Sequence, residues 1–332
     1  MIKTIISLLV VLFSVSTFAA EAKYRIKWIL AHEPARVFLK AANEFSEKIK
    51  SKSNGEIIVE IVNPENTQDE KYKNMDVKTA FELVQKGELQ MSQTYTTYLG
   101  NYDKQMWILD LPFLFKNHDH ASKVLDGKIG KKILAGLSAA DVQGLAFTYS
   151  GGYRIIPSQS KPLNTAADFE GQKIAVTADS PVAQSYLKEL KAEPVPVSDA
   201  TLSDGKMGDA FETTYARLSD KKHTQMKYLN ETEHTLFLTS ILINKKFFDS
   251  LPKKYQKLVS ETALEVARFE RAESLKDNEK TKERFINEFD LKLVNMKPQE
   301  VEKMKKAAQP VYEKFSKILD AQIIAEIKNS GN

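Results

Sequence analysis

The run from Asp249 to Phe289 constrains this chain more than any other. Asp249-Ser250-Leu251-Pro252 has the composition of a helix start, with the proline tolerated in the first turn. The helical pattern then continues to about Phe289. Thirty-odd residues at about 1.5 Å each make a rod of roughly 55 Å, longer than one domain is wide. Such a helix can lie across two domains, and 332 residues is enough chain for two, or for one large α/β unit.

Ahead of that helix, strands and helices alternate. Lys23–His32 alternates well enough for an opening strand ending in a His-Glu-Pro turn. Ala35–Lys50 carries Val37, Phe38, Ala41, Ala42, Phe45 and Ile49 at helical spacing. Asn54-Gly55 marks a turn into a second strand, Glu56–Val62. A helix over Met75–Lys86, closed by Gly87, leads to a third strand, Leu89–Tyr95. Leu109–Phe115 is apolar around a proline, which predicts a buried crossing loop, since exposing it would leave a sticky patch. A helix is predicted over Ala121–Leu137, capped by Asn117 or Asp119. Ser180–Leu190 follows as a helix, Glu193–Val197 and Leu236–Asn244 as strands and Leu291–Asn295 as a late strand, with Pro298 starting the closing helices. The alternation favours an α/β architecture.

The stretch Gly151–Val176 joins the two parts of this pattern. Gly151 and Gly152 supply a permissive bend, and Tyr153–Pro157 is a short apolar run with one charge, Arg154, inside it. Gly171–Thr177 returns as a strand. An arginine placed so is either held toward a cleft or is an ordinary surface group on a half-exposed strand. Glu212, between Phe211 and two threonines, is either a cleft acceptor or a surface carboxylate.

Composition narrows the function classes. Met1-Ile2-Lys3, the apolar Ile5–Val15 and the small residues of Ser16–Ala19 read as a signal peptide cleaved near Ala19 or Ala20. No later stretch is long and apolar enough to span a bilayer. With no cysteine, disulfides, thiolate nucleophiles, thiolate metal sites and a lipoprotein anchor are excluded. The net charge of +4 is spread along the chain, with no basic block interleaved with aromatics, which argues against nucleic-acid binding. His118-Asp119-His120 lacks a further metal ligand nearby, and the Gly205–Gly208 run has the wrong spacing for a phosphate-binding loop. No Gly-x-Ser-x-Gly elbow or zinc-protease spacing is visible, which counts against an enzyme. No cofactor or metal is expected.

Several segments in order carry a resemblance. They are the signal peptide, Ala31-His32, Leu109–Phe115 before a His-containing helix start, Gly151–Arg154, Gly171–Val176, Asp209–Glu212, Glu233-His234 and Leu251-Pro252. Together they resemble the DctP-like solute-binding proteins of TRAP (tripartite ATP-independent periplasmic) transporters. The resemblance implies a two-lobe periplasmic binding protein fold, with crossing hinge strands and a long helix spanning both lobes. Residues 1–19 would be the signal peptide, 23–150 plus 238–277 lobe I, and 151–237 plus 278–326 lobe II. It further implies a periplasmic monomer that closes on a small-molecule ligand and hands it to TRAP membrane permease subunits, catalysing nothing.

Carried over residue by residue, the resemblance implies a cleft lined by His32, Glu33, Gln93, Thr94 and Tyr95 at strand ends. Tyr149 and Arg154 lie at the junction; Thr177, Glu212, Thr213 and Tyr215 come from the second lobe and His234 from the return crossing. For His32 and His234 a structural role stays open, as does plain packing for Tyr95 and Tyr215. One departure stands out: Ala175 occupies the place of the family's carboxylate-gripping arginine, and alanine cannot replace a bidentate clamp. Lys173, on the same strand face by alternation, is a candidate substitute. The ligand is therefore a monocarboxylate held by Arg154 alone, with Tyr95, Thr213 and Glu212 serving its polar groups, or a neutral polyol or sugar with Arg154 paired to Glu212, or nothing, in a repurposed binder. An ABC-type or sensor-coupled binding protein, and a secreted hydrolase, are the alternative classes.

Overall fold

The computed structural model describes residues 22–32, 35–198, 208–218 and 225–331. In chain order its strands are β1 (Tyr24–Ile29), β2 (Ile57–Val62), β3 (Met91–Tyr95), β4 (Val142–Tyr153) and β5 (Lys173–Thr177). They continue with β6 (Glu193–Val197), β7 (Ala210–Phe211), β8 (Tyr228–Glu231), β9 (Leu236–Asn244) and β10 (Lys292–Asn295). The principal helices are α1 (Ala35–Lys52), α2 (Val77–Gln85), α3 (His118–Asp126), α4 (Lys128–Ala135) and α5 (Pro181–Glu189). After these come α6 (Lys253–Phe289), α7 (Pro298–Phe315) and α8 (Ala321–Ser330).

The strands form two groups. The first is a five-stranded sheet of order β2-β1-β3-β9-β4, parallel across β2, β1 and β3 and antiparallel where β9 meets β3 and β4. In the second, β5 lies between β6 and β7, and Ser158 bridges β7 to the β8–β10 pair. Helix α1 covers the first sheet because Phe38, Ala41, Ala42, Phe45 and Ile49 fall on one face and are buried there. The Trp28 indole meets the Phe45 ring edge-on at 5.2 Å. Leu109, Leu111 and Leu114 are buried, as expected of a crossing loop.

Helix α6 belongs to both halves. Its first part sets Tyr255, Val259, Ala263 and Val266 into the core that holds Trp28 and Phe45. Near its far end Phe285 enters a separate apolar cluster with Ile155, Phe211 and Leu229. The middle is polar and buried. There β4 slips in register against β9 between Tyr149 and Gly152, and Gly151 and Gly152 take positive φ of 92° and 82°. The N–H groups of Tyr149 and Gly151 turn to the helix instead, donating to the Glu270 carboxyl at 2.8 Å and the Ser274 hydroxyl at 3.1 Å. A Cβ on Gly151 would also lie 2.4 Å from the Thr214 hydroxyl, so only glycine fits.

One expected element divides. The helix predicted over Ala121–Leu137 is broken at Gly127, which is extended and caps α3, and α4 starts anew after it. A side chain at Gly127 would sit 2.7 Å from the Lys123 carbonyl. Asn117 caps α3 by accepting the His120 N–H at 2.8 Å.

Burial pushes the Glu270 carboxyl up to about 8, against the opposing pull of the Tyr149 N–H and Arg271. A carboxyl raised in the folded state stabilises fully below its unfolded pKa and loses that contribution as pH rises through about 8. Wild-type stability should therefore fall between about pH 5 and pH 9, and Glu270→Gln should flatten that fall. Denaturant melts across this range check it; parallel profiles for the two proteins would contradict it.

Candidate functional site

The site begins where β4 ends. The backbone N–H of Arg154 donates to Thr235 O at 2.9 Å, and the next residue, Ile155, bridges Thr213. This fixes the guanidinium inside the molecule, at 2% exposure, so the surface-arginine alternative fails. Its Nη1 donates to Glu212 at 2.6 Å and its carbon lies 3.9 Å from the Phe237 ring centroid. Its Nε and Nη2 are buried with no hydrogen-bond partner. Those two groups form the side-on edge of a guanidinium, the edge that grips a carboxylate in a fork.

Glu212 is held from two further sides. Its N–H donates to Ala175 O at 2.9 Å, and its second carboxylate oxygen lies 2.8 Å from His234 Nε2. Burial alone would raise this carboxyl, but Arg154 and then His234 outweigh it and hold it below its usual value. An ionised carboxylate can only accept, so Nε2 carries the proton. His234 Nδ1 meets the Thr232 hydroxyl at 2.7 Å, and Tyr186 stacks on the imidazole at 5.7 Å. A chain therefore runs Thr232–His234–Glu212–Arg154.

The first sheet supplies the facing wall. Tyr95, at the end of β3, stacks on Phe237 at 5.1 Å. Its hydroxyl accepts from Arg217 Nη1, and the Arg217 guanidinium lies 5.0 Å from the Tyr95 ring and 5.1 Å from Phe237. His32 packs on Phe38 and meets Tyr95 edge-on at 5.9 Å, both ring nitrogens buried without partners. Burial first, and Arg217 second, lower its pKa to about 3, so it stays neutral. The Thr94 and Thr177 hydroxyls are likewise buried without partners.

At the mouth, side chains of the two halves meet. Ser180 donates to the buried Asp110 at 3.0 Å; burial raises that carboxyl to about 6, with Arg154 opposing the rise. Asp179 takes Lys78 Nζ at 2.9 Å and Asn101 Nδ2 at 3.1 Å. These contacts join the two halves.

The structure brings Arg154, Glu212, His234, Tyr95 and His32 together, with Thr213 beside Glu212. Three other expected residues have partners of their own. Tyr149 meets His118, at 3.3 Å from hydroxyl to ring nitrogen, beside Arg271. Tyr215 lies in the apolar cluster with Phe285, its hydroxyl donating to Glu231 at 2.9 Å. Gln93 directs its amide nitrogen to the Thr148 and Thr239 hydroxyls, bracing the sheet. Lys173 is exposed, so it does not stand in for the missing arginine, and Ala175 sits in the apolar cluster with Ile155 and Phe211. Glu33 lies outside the described residues. Sequence reasoning missed Arg217, Phe237 and Asp110; an arginine after Tyr215-Ala216, five residues beyond Glu212, was the one available signal.

Two α/β halves meeting at a cluster of buried polar side chains, with one helix and two crossing strands shared between them, have the architecture of a two-lobed solute-binding protein. The chain matches the bacterial extracellular solute-binding protein family 7 (DctP) over residues 31–318, and it belongs to that family, as the resemblance implied. It is 28% identical over 244 residues, 72% of either chain, to the 2,3-diketo-L-gulonate-binding periplasmic protein YiaO of Escherichia coli K12. To the C4-dicarboxylate-binding periplasmic protein DctP of Rhodobacter capsulatus it is 24% identical, over 87% of this chain and 85% of that one. A TRAP periplasmic solute binding protein from Bradyrhizobium, solved in complex with galacturonate, superposes with a TM-score of 0.78 at 26% identity, covering 92% of this chain and 99% of that one.

Because Asp179 joins the halves without lying in the Arg154 cluster, Asp179→Ala should speed solute dissociation by about threefold to tenfold, in keeping with a partly exposed ion pair. Stopped-flow fluorescence reads the rate, and the effect should shrink as salt is raised. An unchanged rate would remove Asp179 from the closure.

Proposed function

We propose that this protein captures a small organic acid in the cleft between its lobes and delivers it, in the periplasm, to the membrane subunits of a TRAP transporter. The observation that carries this reading is the side-on edge of Arg154, buried and unpartnered while Glu212 holds the other end of the guanidinium. A carboxylate on that edge makes two parallel charge-assisted hydrogen bonds in a water-excluded site. Tyr95 and Phe237 give the ligand a flat floor. Neutral His32, with Thr94, Thr177 and Thr213, serves its remaining polar groups. That the named relatives bind 2,3-diketo-L-gulonate, C4-dicarboxylate and galacturonate supports an acid, since each ligand carries a carboxylate.

The same reading makes the chain a carrier and not an enzyme, a monomer exported with residues 1–19 as signal peptide. Lobe I comprises 23–150 with 238–277, and lobe II 151–237 with 278–326. Closure commits the ligand, and the permease reads the closed form. The Arg154–Glu212 pair is also compatible with a neutral polyol, because the pair balances its own charge.

A thermal-shift screen followed by calorimetry, over succinate, galactonate, galacturonate and mannitol, separates these. At least one acid should raise the melting temperature, and at 100-fold excess over Kd a folded-state ligand adds about 2.7 kcal/mol. Arg154→Met alone strands Glu212 and should cost about 3–5 kcal/mol of stability, so the ligand-induced shift is compared also in Arg154→Met/Glu212→Gln. Loss of the shift in both variants is expected. An acid-induced shift that survives both, or a shift with mannitol alone, would contradict the proposal.

A further inference from the structure

A cavity of about 390 Å³ stands apart from the cleft, and none of Arg154, Glu212, His32 or Tyr95 is in its wall. It is built on the same two crossings. Tyr153 lines it while the next residue, Arg154, pairs with Glu212; Glu233 lines it while His234 turns to Glu212. Its volume falls at the small end of ligand sites, roughly 300–1,000 Å³. The backbone of its wall is strained at two points. Phe113 and Glu233, neither a glycine, take φ of 55° and 45°, and the Phe113 N–H donates to His234 O at 2.6 Å. Bulky side chains are rare in this left-handed region, and where packing enforces it the place is often one that clamps a ligand.

Three aromatic rings line the space, those of Phe113, Phe115 and Tyr153, the last fixed by its hydroxyl, which donates to Phe115 O at 3.3 Å. The charges in the wall are unequally satisfied. Lys116 Nζ donates to Gly331 O at 2.9 Å, and Lys305 Nζ pairs with Glu302 at 2.7 Å. Glu231 pairs with Lys282 at 2.6 Å and accepts from the Tyr215 hydroxyl. Glu233 alone of these four has no ion pair or hydrogen bond among the described residues. Burial, and then the neighbouring Glu231, raise its carboxyl; Lys282 opposes the rise and Glu279 adds to it. His118, whose ring lies 4.8 Å from that of Tyr153, is pushed by burial toward its neutral form and brings no rival charge at neutral pH. A carboxylate without a partner, set beside aromatic rings, draws a positive charge both by Coulomb attraction and through the negative faces of the rings. We propose that this cavity is a second ligand site, which takes a small organic ammonium ion against the rings of Phe115 and Tyr153 with the Glu233 carboxylate as its counter-ion. The site stands whatever the cleft binds.

The test sets two ammonium ions against neutral molecules of the same shape: choline against its isostere with carbon in place of nitrogen, and phenethylamine against phenethyl alcohol. Calorimetry should show at least one ammonium ion binding about tenfold or more tighter than its neutral counterpart. Tyr153→Leu should weaken that ion at least about fivefold, while Tyr153→Phe, which keeps the ring, should bind it as the wild type does. Glu233→Gln is isosteric and at an exposed position, and should weaken the ion at least about threefold. It decides the matter if the leucine variant does not fold. Lys305→Gln removes a like charge from the wall, so affinity should hold or rise. Failure of both ammonium ions to outbind their neutral counterparts, or affinity indifferent to Glu233→Gln, overturns the proposal. So does benzoate bound in their place and lost in Lys305→Gln. An ammonium ion lost in Arg154→Met/Glu212→Gln but kept in Glu233→Gln sits in the cleft, and that overturns it as well.

Discussion

A guanidinium at 2% exposure needs an anion beside it, and Glu212, 58 residues further along the chain, is that anion for Arg154. The requirement organises much of the fold. Arg154 follows β4, and Glu212 follows β7 and is tied by its N–H to β5. His234, which takes the second carboxylate oxygen, precedes β9. Two crossings between the halves and one strand of the second sheet are thereby pinned at one point. A buried pair of this kind contributes little net stability, because desolvation offsets most of the attraction, but removing one partner is costly. Its value lies in position: it holds a charged fork, with one edge open, at the junction of two lobes.

The long helix supports that junction from behind. Where β4 slips in register to carry Arg154 inward, two N–H groups leave the ladder, and Glu270 and Ser274 receive them. One turn of helix thus sits against the strand bulge that any relative motion of the lobes must bend. Arg271, donating to Phe147 O at 2.7 Å and paired to Asp126, ties the same turn to the first lobe. Phe285, three turns on, is committed to the second. The glycine pair, at positive φ, lies between these two anchors, where the chain has the backbone freedom a hinge needs.

Much of the fold was legible in the sequence. The periodicity of Phe38, Ala41, Ala42 and Phe45, the proline that opens the long helix and the apolar Leu236–Asn244 strand each specify one element locally. Arg154 and Glu212 stood out because a single charge in an apolar or aromatic setting is conspicuous. Side-chain direction near the glycine pair was not legible. The register slip between Tyr149 and Gly152 disturbs the two-residue alternation, so counting along β4 did not show that Tyr149 faces His118. Arg217 was missed because its meaning comes from Tyr95, 122 residues earlier, and from Phe237, contacts no local pattern encodes. The break at Gly127 was hidden for the converse reason: apolar spacing continues across it, and only the close approach of the Lys123 carbonyl demands the glycine.

Diffraction from crystals grown with the tightest-binding acid of the screen is the decisive measurement. A ligand carboxylate should lie within hydrogen-bond distance of both Nε and Nη2 of Arg154, with Glu212 still on Nη1. A ligand bound in the cleft with its carboxylate elsewhere, or Glu212 swung round to fill that edge, would contradict it.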